Sequence, residues 1–79
     1  MRELQHNETF SGSNETRSIA LVAAGATLEL QLDCDGTFVT MGTYAENKAI
    51  DVDLKSGMTW RVSMSDSGAS AKAFISNKR

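Results

Sequence analysis

The sequence predicts an all-β chain, a single small antiparallel β-sandwich or barrel of about six strands with a polar N-terminal arm. Three observations predict it. Separate segments alternate apolar and polar residues with period two, glycines punctuate the chain at short intervals, and no amphipathic helix of useful length interrupts the pattern. Crossover helices, and with them a parallel sheet, have no room in 79 residues.

Residues 1–17 form the expected arm and residues 18–79 the sandwich domain. The arm is polar, without sustained period-2 or period-3.6 patterning, and it repeats the tripeptide "NET" at 7–9 and 14–16. Both copies match the glycosylation pattern Asn-x-Thr. No apolar core of a signal peptide precedes them, so the echo reads as chance or as paired polar contacts.

The strands follow in order. "RSIALVA" at 17–23 is rich in β-branched residues. "TLELQLD" at 27–33 alternates strictly, with Leu28, Leu30 and Leu32 opposed to Glu29, Gln31 and Asp33. "TFVTM" at 37–41 is short and apolar. "AIDVDL" at 49–54 sets Ile50, Val52 and Leu54 against Asp51 and Asp53, and "TWRVSMS" at 59–65 sets Trp60, Val62 and Met64 against Arg61 and Ser63. "SAKAFIS" at 70–76 closes the series. Gly25, Gly36, Gly42, Gly57 and Gly68 mark the intervening turns.

Composition narrows the functional classes. Hydrophobic residues at 41% and charged residues at 23% describe a chain that folds, but one near the size where only about 60% of the unfolded surface is buried. Help from a partner or from oligomerisation fits such a small core. The formal net charge of −2 provides no field for nucleic acid. No stretch reaches the roughly 18 apolar residues of a membrane span. The chain contains no proline, a common guard of sheet edges. Charges such as Asp51, Asp53, Lys55 and Lys72 must then protect the edges, or a neighbouring subunit covers them; the second is preferred.

"DCDG" at 33–36 resembles the start of a calcium loop, with two acids one residue apart followed by glycine. A helix-loop-helix calcium site needs glycine at its sixth position and glutamate at its twelfth. Counting from Asp33 puts Gly36 fourth and Tyr44 twelfth, so the spacing fails. Asp-Gly between two apolar runs is instead a hairpin signal, because glycine accepts the positive φ that such turns require. A two-residue turn pairs Leu32 with Val39 and Leu30 with Met41 and turns Phe38 to the outer face; a three-residue turn with a glycine bulge pairs Leu32 with Phe38 and buries the ring.

The remaining chemistry is sparse. Cys34 is the only cysteine, so no internal disulfide forms and a reducing compartment is expected. Its aspartate neighbours disfavour the thiolate that a reactive role requires, and it reads as a small semi-buried residue beside the turn. His6 is the only histidine, without a second metal-binding partner in sequence. Glu29, Asp33, Asp35, Asp51 and Asp53 would gather on one outer face if their strands were neighbours. A carboxylate pair for glycoside hydrolysis needs an aromatic-lined cleft, for which Phe10, Phe38, Phe74, Tyr44 and Trp60 are too few. Trp60 reads as core, with an indole N–H that needs an acceptor. Met41, Met58 and Met64 read as gap-fillers. No catalytic, cofactor or metal residues are assigned, and the chain is read as no enzyme.

The succession of a polar arm, "IALVAAGATLELQL", "DGTFVTMG", "IDVDLKSGMTWRVSMSDSG" and the final "AKAFIS" resembles the small β-sandwich proteins that bacteriophages encode for their virions, in head-decoration, head-fibre or tail-accessory roles. The turn followed by an aromatic-Arg-Val strand, "GMTWRVSMS", carries most of the likeness. The resemblance implies a non-enzymatic structural or accessory protein of the virion, made in the host cytoplasm, whose partners are capsid or tail proteins and copies of itself. On that reading the arm reaches a neighbouring subunit with Phe10 as its apolar anchor, and Phe38 and Tyr44 are further contact residues. Deleting residues 2–14 is then expected to abolish assembly and leave the sandwich folded. The alternative is a small binding module or inhibitor that recognises a glycan or a host protein through Phe38 and Tyr44.

Overall fold

In a computed structural model, residues 1–12, 14–65 and 70–76 are described. They form eight strands: β1 (Arg2–Leu4), β2 (Thr9–Ser11), β3 (Glu15–Val22), β4 (Leu28–Cys34), β5 (Thr37–Tyr44), β6 (Lys48–Leu54), β7 (Thr59–Met64) and β8 (Lys72–Ile75). Two four-stranded antiparallel sheets result. One has the order β1-β8-β3-β6 and the other β2-β7-β4-β5. The shortest dimension of 17 Å fits two sheets packed about 10 Å apart with their outward side chains.

The period-2 segments build this core as expected. Leu28 and Leu30 of β4 lie opposite Met64 and Val62 of β7, and Ile19 of β3 lies opposite Ile75 of β8. All six are buried, and the outward residues between them are not. Each such aliphatic side chain contributes about 1.5–3 kcal/mol on burial. Val52 and Leu54 of β6 add to the same cluster. The six expected strands lie where the pattern places them, with ends shifted by up to three residues. The turn expected at Gly68 lies outside the described residues.

The first 17 residues are not an arm. β1 pairs with β8, setting Leu4 opposite Ala73, and β2 pairs with β7, setting Phe10 opposite Trp60. Glu15, Thr16 and Arg17 already belong to β3. The segment therefore joins the edge of one sheet to the edge of the other. It does so with two apolar side chains, Leu4 at 1% exposure and Phe10 at 7%. Local periodicity could not reveal this, because two three-residue strands hold only one buried side chain each.

Polar groups hold the crossing in place. Asn7 takes a left-handed φ of 60°, its N–H donates to Val62 O at 2.9 Å, and the Gln5 N–H donates to Glu8 Oε1 at 2.9 Å. His6 Nδ1 accepts the Met64 N–H at 2.9 Å. Gly12 carries the chain onward between the sheets so tightly that a Cβ there would sit 2.1 Å from Leu54 Cβ. The two "NET" motifs are thus in the fold: Asn7 and Asn14 both adopt left-handed turns, and Asn14 Oδ1 accepts the Ser56 N–H.

Candidate contact surface

The "DCDG" stretch is a two-residue hairpin turn. Cys34 pairs with Thr37, and the two turn residues have positive φ, Asp35 at 57° and Gly36 at 90°. These are the conformations of a type I′ turn, whose twist matches that of the flanking strands. Asp33 accepts the Gly36 N–H at 2.8 Å through Oδ1, so the first acid of the motif caps the turn. Among the described residues no group of three or more His, Cys, Asp or Glu side chains is placed to hold a metal ion.

The register settles Phe38 outward. Leu32 pairs with Val39 and Asp33 with Phe38, so the ring lies on the outer face of its sheet. It is half-buried there, because the Arg61 guanidinium carbon sits 3.8 Å from the ring centroid. A polar chain continues across the same face. Arg61 Nε donates to Gln31 Oε1 at 2.7 Å, Gln31 Nε2 donates to Glu29 Oε1 at 3.1 Å, and the Thr40 hydroxyl donates to Glu29 Oε1 at 2.8 Å.

Leu30 pairs with Gly42 and not with Met41, since a bulge between Leu30 and Gln31 leaves Met41 as the extra residue on β5. Tyr44 lies opposite Leu28, on the face away from Phe38, half-buried against the core and folded over Gly42. Phe38 and Tyr44 therefore belong to no common surface. Phe10 is a core residue and offers no anchor for a neighbour. Cys34 is exposed, not semi-buried. Asp51 and Asp53 are on β6 of one sheet and Glu29 and Asp33 on β4 of the other, so the acids divide between two faces and do not gather on one. Asp51 and Asp53 accept hydrogen bonds from Ser18 and Thr16.

Two features escaped the sequence. The first is apolar exposure on β5, where Val39 is 44% and Met41 57% exposed. Val39 alternates inward in register but lies on the outermost strand of its sheet. Its exposure shows that the facing sheet does not cover that position. The second is Trp60, buried as expected, whose indole Nε1 finds no acceptor among the described residues. A shallow depression of about 440 Å³ lies at the β5–β6 turn, lined by Thr43, Tyr44, Ala45, Glu46, Asn47 and Lys48. Its lining comes from one turn and the strand ends beside it.

In comparisons with protein-family models, curated proteins and solved structures, the chain matches none of them.

Proposed function

We propose that this chain is a non-enzymatic structural or accessory protein of a phage virion, acting through protein–protein contact and oligomerisation. One observation supports it above the others: an eight-residue outermost strand with no charged side chain exposes Val39 and Met41. A small domain keeps such an edge where a partner covers it, because an uncovered apolar edge invites uncontrolled pairing. The contact surface is then β5 and its surroundings, not residues 1–17.

Immunogold labelling of purified phage particles, with an antibody against this chain, tests the reading. Regular labelling of heads or tails is expected, and particles that carry none of the chain overturn it.

A second reading, a small module binding a glycan or a host protein, is favoured by the outer-face row of Phe38, Arg61, Gln31, Thr40 and Glu29. An aromatic ring beside a fixed amide and carboxylate suits a sugar hydroxyl pattern. Binding on a glycan array that Phe38→Ala abolishes would establish it in place of the first.

A further inference from the structure

We infer that β5 pairs antiparallel with β5 of a second copy of this chain, joining two four-stranded sheets into one eight-stranded sheet across a twofold axis. This rests on the contact reading above and names its partner.

The four sheet edges are not equivalent. β1 and β2 have three residues each, too short to template much of a ladder. β6 has seven residues, but Asp51 and Asp53 lie on it, and antiparallel self-pairing about its centre would bring Asp51 against its own copy. β5 has eight residues, Thr37–Tyr44, and no charge. Of the four edges only β5 combines an uncharged strand with exposed large apolar side chains.

A second copy is the occupant that this edge fits. A strand with no charge has no complement to offer a charged foreign strand, and it meets itself without repulsion. Antiparallel pairing also keeps the same face of both sheets on the same side. Val39 of each copy then lies beside Val39 of the other, and each side chain covers part of its counterpart's exposed apolar surface. The bulge at Met41 limits the regular stretch to Thr37–Thr40 on the turn side of β5, so this edge differs from β1 and β2 less in length than in its exposed apolar side chains, Val39 and Met41. A twofold at Val39 uses that stretch, setting Phe38 opposite Thr40 of the second copy. Such an interface is at the small end for specific pairs, so a dimer that dissociates in the micromolar range is expected.

Sedimentation equilibrium of the purified chain, from low micromolar to near-millimolar concentration, reads the association directly. Wild type should move from monomer to dimer, and Val39→Lys or Met41→Lys should weaken the dimer by about tenfold or more. Both sites are exposed, and circular dichroism checks that each variant stays folded. In a Cys34→Ser background, Val39→Cys should form a dimer disulfide under mild oxidation and Thr43→Cys, beyond the bulge, should not. A chain that remains monomeric throughout overturns the inference. So does a dimer indifferent to both lysines, or a monomer whose β5 is taken by another protein. A monomer that still labels particles sinks this inference alone; a β5 dimer absent from particles sinks the virion reading alone.

Discussion

The first 17 residues and β5 exchange the roles that their compositions imply. The first are polar, yet they bury Leu4 and Phe10 and close the sandwich at two sheet edges. The second reads as a short apolar strand, yet it leaves Val39 and Met41 in solvent. The difference teaches that burial in a thin two-layer domain depends on whether the facing layer extends over a position, and only secondarily on local hydrophobicity. A single apolar residue in a polar stretch is worth a full core contribution when it lands between the sheets. An apolar run at the rim contributes little until something covers it.

Deleting residues 2–14 is the strongest way to break this contrast. The truncated chain should lose cooperative thermal unfolding altogether, because it lacks β1, β2 and the core side chains Leu4 and Phe10. A truncated chain that melts like wild type would show that the segment is an arm after all.

Point substitutions sharpen the same comparison. Phe10→Ala should cost about 3–5 kcal/mol in denaturant unfolding, through lost burial and the cavity left opposite Trp60. Val39→Ala, at a monomer concentration, should cost no more than about 0.5 kcal/mol. Equal losses would refute the assignment of one to the core and the other to the rim.

Gly12→Ala comes next. The new Cβ would meet Leu54 Cβ at 2.1 Å and Leu54 O at 2.7 Å, and backbone on that side cannot retreat as a flexible side chain would. A loss of about 1–3 kcal/mol is expected, read as a lower urea midpoint with an unchanged slope.

The smallest effect is electrostatic. The Glu8 carboxyl is held below the usual carboxylate range first by the Gln5 N–H and then by Arg2. Because the folded value is depressed, its contribution is present above the carboxylate pKa of the unfolded chain and disappears as pH falls through the lower folded value. The carboxyl lies near the surface, so its share of the change in melting temperature between neutral and acidic pH should be slight, and Glu8→Gln should remove that share.

How much was legible depends on how the information is carried. Alternation in 27–33, 49–54 and 59–65 could be read because a period of two repeats several times within each strand and assigns every side chain a face. Asp35-Gly36 could be read because the turn needs positive φ at both central positions, and few residue pairs supply it. Leu4 and Phe10 could not, since one buried apolar residue makes no period. The bulge at Met41 could not either, and it moved the partner of Leu30 from Met41 to Gly42. The candidate contact surface was half legible: Phe38 was open to either face until the turn length was known, and Tyr44 was on the wrong side of the sheet.

By itself, then, the sequence determined that this chain is β throughout, where most of its strands run and which faces of the long ones are apolar, because those properties are written residue by residue in short-range repeats. Only the tertiary structure decided which strands became edges, which apolar residues the opposite sheet covers and which acids share a surface. Those outcomes depend on strand order and on the extent of one layer over the other, and contacts between residues distant in the chain leave no local period to read.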